Sequence, residues 1–427
     1  MTKWILCVLF LFGAMFAWRA RPVMHPEESY QSIFPTARFL AKLNSPIAAW
    51  MQTEIDSNFR DIEQVTESAL SRTYDTICKR VGRKSAFYRY RILDNELYAY
   101  VPTGAKCSTK DIRFEKALKT LLTHAQIPNV DFIYCQMDGV PEDHVPADFF
   151  FMDDPKDQAP ILAQAKRKGL LTRYVVLIPD QFSLDRDWIE TAVEIERINQ
   201  TIAWGEKEAK AFWRGIFTDT GDPAQFLTSS QKTPRMSISY LSAMHPQSVD
   251  AGMTRTILPE LEQRWGLQGI LKKEASKADH LRAKYLPVLD GHMCTYPGYQ
   301  WRLLSNSLCL KQESDQVQWF YSALQPYRHY VPIANDMSDL LAKITWANDH
   351  EEEVLTIIQT AQQFARDNLM VEDNYRYLAL VLQRYAKVQQ IDFETTHSDP
   401  HWVCIHYRKR LAFFNMLRKK LPIFDRN

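Results

Sequence analysis

One carboxylate, Asp138, lies at a position from which it could act as an acid or a base. It follows Val130–Cys135, an apolar run of strand length, and precedes Gly139 and Pro141, which favour a turn. A carboxylate at the carboxyl end of a strand points into the ligand crevice of an open α/β sheet. There it can act as a general base that takes the proton from an attacking hydroxyl. The alternative is an Asx-turn, in which Asp138 accepts hydrogen bonds from its own backbone.

An arginine suited to phosphate stands in the run from Phe212 to Gly215. Arg214 can present its planar guanidinium to a phosphate, and the neighbouring Gly215 lets the backbone come close. A reaction that releases a diphosphate needs a cation there, because the leaving group gains negative charge. The alternative is that Arg214 pairs with a carboxylate and only supports the fold.

A glycine loop and a later carboxylate add two further signals. The loop from Gly291 to Gly298 follows an apolar run and precedes a helical one. Its backbone N–H groups can therefore approach a phosphate at the start of that helix. Glu313 follows the next apolar run, a position from which a carboxylate can bind ribose hydroxyls. A solvated loop carboxylate is the alternative interpretation of Glu313.

Strands and helices in alternation must position these residues. From Lys284 to Pro332 the runs predict a strand, a glycine loop, a helix, a second strand and a polar loop, which is one βαβ unit. In the first half, a hairpin around Asp94 and Asn95 precedes an amphipathic helix and two buried strands, Val130–Cys135 and Tyr174–Ile178. Helices are predicted over 188–202, 354–365 and 375–388, and a short strand over 267–271. The sequence therefore predicts an α/β fold with two Rossmann-like halves, divided between about residues 180 and 205.

Length and charge narrow the class of protein. A chain of 427 residues is long for one hydrophobic core, which favours two domains. The formal net charge of +1 gives no support for a nucleic-acid partner. Near the N-terminus, an apolar segment from Trp4 to Trp18 lies between Lys3 and Arg19. We expect residues 1–21 to be a signal peptide or a short membrane anchor, and the protein to belong to the secretory pathway or a bacterial cell envelope.

The cysteines fit an exported chain. Six of them follow Cys7, and an even number permits disulfides; Cys78 with Cys107 is the first pair to test. Cys135 and Cys309 lie inside apolar runs, where we expect small buried side chains. The basic stretch over 407–420 is expected to be a solvated helix rather than a membrane-binding patch.

The order of short motifs in the second half resembles a known family. Lys-Tyr-Leu from Lys284 and Asp-Gly from Asp290 are followed by Arg-Leu-Leu-x-Ser-x-Ser from Arg302, His-Tyr-Val-Pro from His329 and Asp-x-x-Asp-Leu from Asp336. This order resembles glycosyltransferase family 90, the CAP10-like group that includes protein O-glucosyltransferases and a fungal capsule xylosyltransferase.

The resemblance implies roles for several of these residues. Asp138 matches the aspartate of the family's Arg-Asp-Tyr-Pro, the proposed catalytic base, although Met137 and Gly139 replace its neighbours. Arg214 matches the arginine of Phe-Arg-Gly or Trp-Arg-Gly, and Arg235 matches a downstream arginine. Both are implied to bind the donor.

One motif departs from the family pattern. Where members often carry Ser-Phe-Arg, this chain has Thr295-Tyr296-Pro297. Thr295 keeps the hydroxyl that is implied to contact the diphosphate, but the arginine is missing. Arg302 lies one helical turn further on and is the candidate to replace it.

The same resemblance implies the architecture and the reaction. It implies a GT-B-like fold with two Rossmann-like domains facing across a cleft, an acceptor side over 22–190 and a nucleotide-sugar side over 191–427. The implied reaction is inverting transfer of a sugar, glucose or xylose first, from a UDP-sugar to a hydroxyl of a cell-surface glycan such as lipopolysaccharide or capsule, or of a protein serine. Apart from the donor substrate we expect no cofactor, and we expect no metal.

Two other functions compete with this one. The missing arginine and the altered neighbours of Asp138 would also fit a non-catalytic sugar-nucleotide or glycan-binding protein on the same fold. Asp185 and Asp187 form the Asp-x-Asp pattern of metal-dependent transferases, but they precede Trp188 at a helix start, where aspartates act as caps. The glycosylation sequon at Asn199 falls inside a predicted helix and is interpreted as a chance match.

Overall fold

A computed structural model describes residues 36–81, 86–102, 113–140, 158–169, 173–218, 232–255, 259–266, 270–396 and 399–405. The strands of these segments are β1 (Val65–Thr66), β2 (Phe87–Leu93), β3 (Glu96–Tyr100), β4 (Val130–Cys135), β5 (Ile161–Ala163), β6 (Lys166–Arg167), β7 (Val175–Leu177), β8 (Glu208–Gly215), β9 (Val249–Met253), β10 (Ala283–Val288), β11 (Leu308–Gln312), β12 (Gln316–Val317), β13 (Val331–Ile333), β14 (Gln389–Gln390) and β15 (Trp402–Cys404).

The α-helices of the same segments vary from one turn to five. They are α1 (Thr36–Leu43), α2 (Ala49–Asn58), α3 (Glu67–Val81), α4 (Arg113–His124), α5 (Arg186–Thr201), α6 (Pro234–Met244), α7 (Pro259–Trp265), α8 (Lys277–His280), α9 (Gly298–Leu304), α10 (Leu340–Asp349), α11 (Glu351–Asn368), α12 (Val371–Lys387) and α13 (Phe393–Thr396). The predicted helices at 188–202, 354–365 and 375–388 coincide closely with α5, α11 and α12 and are confirmed.

The first sheet has six strands in the order β15-β3-β2-β4-β5-β7. Its β2–β3 hairpin turns at Asp94 and Asn95, whose φ angles are 49° and 64°. A two-residue turn of this hand requires positive φ at both positions, which Asp and Asn tolerate better than most residues. The predicted hairpin is confirmed. From β4 onward the strands run parallel, so their carboxyl ends share one edge of the sheet.

A buried charge cluster ties this sheet together. Asp131 on β4 is fully buried, and its carboxylate lies 2.8 Å from Arg89 and 2.7 Å from Arg91, both on β2. Glu67 of α3 adds a second carboxylate, 2.6 Å from Arg89. The Arg91 guanidinium also lies 4.1 Å from the ring centroid of Trp402 on β15. The cluster therefore joins α3, the sheet centre and β15, the last strand within the described residues.

The second sheet has five parallel strands in the order β13-β11-β10-β8-β9. The predicted βαβ unit is confirmed as β10, α9 and β11. Numbered along the chain, the five strands run 2-1-3-4-5, the doubly wound order in which ligands bind where the winding reverses. That switch point lies between the carboxyl ends of β8 and β10. The α/β fold with two Rossmann-like sheets is confirmed.

The end of the described chain returns to the first sheet. Strand β15 pairs antiparallel with β3 of that sheet, and β14 pairs parallel with β1 in a separate two-stranded sheet. Helix α12 packs against β4 and against α1 and α2. The expected nucleotide-sugar range, 191–427, thus includes a segment that the structure places beside the N-terminal sheet. Two-residue strands β6 and β12 pair between the halves, Gln316 opposite Arg167.

Several sequence-based expectations concern residues that the structure does not describe, and others can be checked against it. The N-terminal segment 1–21, Cys107, residues 267–269 and the basic stretch 407–420 lie outside the described residues. Cys135 and Cys309 are buried, as predicted. Among the helices that the structure describes, none combines the length and the apolar character needed to cross a bilayer.

Candidate functional site

The switch point of the second sheet is lined by Arg235 and Gly291. The buried guanidinium of Arg235, which enters from α6, donates to the carbonyls of Ile216 (2.6 Å) and Asp290 (2.8 Å) and so joins the ends of β8 and β10. A Cβ on Gly291 would lie 3.0 Å from Arg235 Nη2 and 3.0 Å from Thr218 Oγ1. Only a glycine fits easily at this close approach of three chain segments.

Arg214 lies on β8 and forms an ion pair with a carboxylate, which is the alternative role that the sequence allows. Its Nη2 lies 2.9 Å from Asp250 Oδ1, and Nη1 donates to the Asp250 carbonyl at 2.8 Å. Partial burial opposes ionisation of Asp250, but hydrogen bonds from Lys272 and Arg214 outweigh it and hold the pKa of that carboxyl below its usual value. Gly215 ends β8 directly after it. Arg214 lines a cavity of about 290 Å³ with Asp250 and Arg282. Its role in donor binding stays a prediction.

Arg302 is the buried cation of α9. It is 6% exposed, and its Nη1 donates to the Gly298 carbonyl at 2.9 Å. Its Nε finds no hydrogen-bond partner within the part of the chain that the structure describes. Burial, and to a smaller extent the charge of Arg235, lower the pKa of Arg302 to about 10. A buried guanidinium that lies close enough to Arg235 to be affected by its charge, and whose Nε–H is not used within the described chain, is a suitable environment for an anion.

His280 packs among aromatic rings and is close enough to Arg302 and Arg214 to be affected by their charges. Its ring packs edge-on against Phe212 (5.0 Å between centroids) and Trp301 (5.7 Å), and Nδ1 lies 2.9 Å from the Ser276 carbonyl. Burial, followed by the charge of Arg302, lowers the pKa of His280 to about 4. The imidazole is therefore neutral at pH 7, and Nδ1–H is the donor to Ser276.

This histidine predicts a pH dependence of stability. The folded-state pKa, about 4, is below the ordinary value of about 6.5, so the unfolded chain binds the proton first as pH falls. The stability that His280 contributes is present above pH 6.5 and is lost between about pH 6.5 and pH 4, up to about 3 kcal/mol. The free energy of unfolding, measured by urea denaturation, should fall less between pH 7.5 and pH 5 in His280→Gln than in the wild type. An equal loss in both proteins would contradict this assignment.

Asp138 lies on an exposed turn and faces the second half of the molecule. The carbonyl of Asp138 accepts a hydrogen bond of 2.6 Å from the hydroxyl of Tyr296, which belongs to the loop after β10. The next residue, Gly139, packs below that loop, since a Cβ there would lie 2.9 Å from Met293. The structure therefore places the candidate base against the glycine loop of the opposite sheet. Its catalytic role stays a prediction.

Thr295 belongs to the same loop. Its carbonyl accepts a hydrogen bond of 3.2 Å from Gln318, and its Oγ1 is the nearest atom to the position that a Cβ on Gly298 would occupy. The hydroxyl therefore lies at the start of α9, beside the Arg302 guanidinium that bonds the Gly298 carbonyl. Thr295 and Arg302, predicted from the same motif, are neighbours in space.

Glu313 lies at the end of β11, as predicted, and its side chain is exposed. It lines an interdomain cavity of about 460 Å³. Other lining residues come from both halves and include Glu54, Lys168, Lys311, Tyr321 and Tyr330. The sequence marked Tyr330 only as part of a motif, and it gave no signal for Glu54 or Lys168, because these meet Glu313 only when the two sheets pack together.

Asp180 and Gln300 were not predicted as interdomain partners. Asp180 follows β7 and is fully buried; its Oδ1 accepts from the N–H groups of Phe182 and Ser183. Its Oδ2 accepts from Gln300 Nε2 of α9 at 2.9 Å. The strand end before Asp180 was the only sequence signal. This contact, together with Tyr296, fixes α9 and its preceding loop to the first sheet.

Asp185 caps α5, as predicted. Its carboxylate accepts from the Arg186 N–H at 2.6 Å, and Arg113 pairs with Asp185 (3.2 Å) and with Asp187 (2.8 Å). Within the described ranges, no group of three or more His, Cys, Asp or Glu side chains is placed to hold a metal ion.

Comparison with known proteins identifies the family. The model of glycosyl transferase family 90 matches residues 55–407. Protein O-glucosyltransferase 2 of Danio rerio is 26% identical over 349 residues, which cover 80% of this chain and 63% of that protein. Protein O-glucosyltransferase 3 of Homo sapiens is 27% identical over 343 residues, which cover 77% of this chain and 61% of that protein. The chain thus spans less than two thirds of the length of these relatives.

Solved structures add only a distant likeness. Anabaena Alr3699/HepE in complex with UDP aligns with a TM-score of 0.36 at 12% identity, covering 58% of this chain and 70% of that one. The fold assignment therefore rests on the sheet order described above, and the family assignment on a match that covers most of the chain. This protein belongs to glycosyl transferase family 90.

Proposed function

We propose that this protein is an inverting, metal-independent glycosyltransferase that uses a UDP-sugar and transfers its sugar to a hydroxyl. The observation that carries the proposal is the contact between the Asp138 turn and the loop that leads from the switch point to α9. A general base on one sheet then faces the crevice where the other sheet would bind a nucleotide. Direct displacement at the sugar carbon needs one base and no covalent intermediate, which suits a single carboxylate.

Each site residue has a place in this mechanism. Asp138 would take the proton of the acceptor hydroxyl as it attacks. The charge of the leaving UDP would be stabilised by the Gly291–Gly298 loop, Thr295 and Arg302, and by Arg214 and Arg235 at the ends of the neighbouring elements. Glu313 would bind the ribose from the interdomain cavity. The transition state would have oxocarbenium character, as in other glycosyl displacements.

The donor sugar and the acceptor are proposed from family membership. Glucose is the first candidate, because the relatives described above are named protein O-glucosyltransferases. Xylose is the second. The acceptor would be a protein serine or a hydroxyl of a cell-surface glycan of the lipopolysaccharide or capsule type. An N-terminal signal or anchor would place the enzyme in the secretory pathway or in a bacterial envelope. Membrane association would run through that segment.

A thermal-shift screen tests the donor assignment. UDP-glucose, UDP-xylose, UDP-galactose and a GDP-sugar are added separately, with and without Mn²⁺. A ligand that binds only the folded state raises the melting temperature, so UDP-glucose should give the largest rise and Mn²⁺ should not increase it. A response to the GDP-sugar alone, or a response that depends on Mn²⁺, would overturn the donor or the metal-independence assignment.

The Arg214→Ala variant tests the donor crevice. We expect UDP to bind about tenfold more weakly, because a charge-assisted contact to phosphate is worth roughly 1.5–3 kcal/mol, part of which water replaces. Titration calorimetry against UDP measures this directly. If Arg214 serves only its pair with Asp250, UDP affinity will stay unchanged while the melting temperature falls.

A further inference from the structure

Tyr296 connects the two halves of the candidate site through one side chain. Its hydroxyl donates to the Asp138 carbonyl at 2.6 Å. Its ring is stacked on Phe182 of the first half, with 6.3 Å between centroids and 27° between planes. The Phe182 ring in turn lies 5.0 Å from the Arg113 guanidinium. Because the ring is held by Phe182, the direction of the hydroxyl is fixed as well.

The carbonyls of the Asp138 turn are held from two sides. The Met137 carbonyl accepts a hydrogen bond of 2.9 Å from Gln164, and the Gly139 carbonyl accepts one of 3.4 Å from the Cys135 thiol. Both donors belong to the same half of the molecule as the turn. The Asp138 carbonyl between them is bound instead by Tyr296, from the opposite half. The peptide plane that carries the candidate base is therefore set by a residue of the glycine loop.

The same loop forms the switch-point crevice. It begins at Gly291, in contact range of Arg235 and Thr218, and includes Met293, which packs against Gly139. Burial, and then the charge of Asp138, raise the pKa of Tyr296 well above its usual value. The hydroxyl is therefore protonated at neutral pH and can act as a hydrogen-bond donor.

We propose that Tyr296 is a positioning residue that aligns Asp138 with the donor loop, so that the base is in place only when this loop has its donor-binding conformation. The inference rests on the proposed function. It adds that the loop between β10 and α9 has two functions. It binds the diphosphate, and it holds the backbone of Asp138 in place. Loss of the hydroxyl should then lower the rate of the chemical step without weakening donor binding.

The test compares Tyr296→Phe, which keeps the stacked ring, with Tyr285→Phe as a matched control. Tyr285 lies on β10, away from the Asp138 turn. Its hydroxyl also donates one hydrogen bond of 2.6 Å, to Asn348. Hydrolysis of UDP-glucose, with water as the acceptor, measures kcat and KM, and calorimetry measures UDP affinity. We expect Tyr296→Phe to lower kcat about tenfold with KM and UDP affinity within twofold of wild type. Tyr285→Phe should leave both constants unchanged.

Each outcome has a separate meaning. A Tyr296→Phe variant with wild-type kcat, or one whose only change is a higher KM, overturns the positioning role and leaves the proposed function standing. An equal fall of kcat in Tyr285→Phe would show a general structural effect and would also overturn it. A wild-type protein that neither binds UDP nor turns over any UDP-sugar refutes the proposed function itself, and the inference with it.

Discussion

Asp138→Asn should lower the rate of sugar transfer about 10²–10⁴-fold while UDP affinity stays within about twofold of the wild type. The substitution keeps the size of the side chain and removes only its ability to accept a proton. The side chain is exposed on its turn, and the amide oxygen that replaces the carboxylate can still accept from Tyr296, whose hydroxyl also interacts with the Asp138 carboxylate. The Tyr296 hydrogen bond goes to the backbone carbonyl and should remain.

The measurement is initial rate against acceptor, with titration calorimetry for UDP on the same preparations. Asp349→Asn is a suitable control, since Asp349 is an exposed carboxylate at the end of α10. It should retain full activity. If Asp138→Asn also retains full activity, the base must be another residue and the mechanism proposed above fails.

Asp131→Ala should destabilise the folded state by about 3–5 kcal/mol, because it leaves two buried guanidinium groups without their shared carboxylate. Arg89 and Arg91 both lie within 2.8 Å of Asp131, and both are nearly inaccessible to solvent. The strand that carries Asp131 also leads to Asp138, so the destabilisation should also disturb the position of Asp138.

Equilibrium urea denaturation measures the effect, and Glu67→Ala is the internal comparison. Glu67 contacts the same two arginines, but its side chain is 33% exposed. Water can replace much of what it supplies, and the cost should be about 1 kcal/mol. If Asp131→Ala lowers the free energy of unfolding by less than about 1 kcal/mol relative to the wild type, the cluster contributes little to the stability of the first sheet.

Local signals in the sequence were sufficient for local structure. Asp94 and Asn95 predicted a tight hairpin because few residues accept positive φ, and the structure has it. Asp185 predicted a helix start through its capping chemistry, and it caps α5. The βαβ unit followed from apolar runs separated by glycine and polar loops, and it forms the centre of the second sheet.

Contacts between distant segments were beyond such signals. β15 has three residues and no strong periodicity. It pairs with β3 in the first sheet, and its Trp402 lies beside Arg91. From the sequence, Asp180 is an ordinary residue at a strand end. Its contact with Gln300 of the other half forms only in the folded protein. For Arg214 the sequence left two roles open; the structure contains the carboxylate pair, and the phosphate role awaits the binding experiment.

The central claim is that the Asp138 carboxylate faces a nucleotide bound at the β8–β10 switch point. A crystal structure of the protein with UDP and a non-transferable UDP-glucose analogue tests it most directly. We predict the diphosphate beside the Gly291–Gly298 loop, with the anomeric carbon of the sugar on the side of Asp138. Nucleotide bound away from this loop, or an anomeric carbon out of reach of the Asp138 carboxylate, would contradict the account.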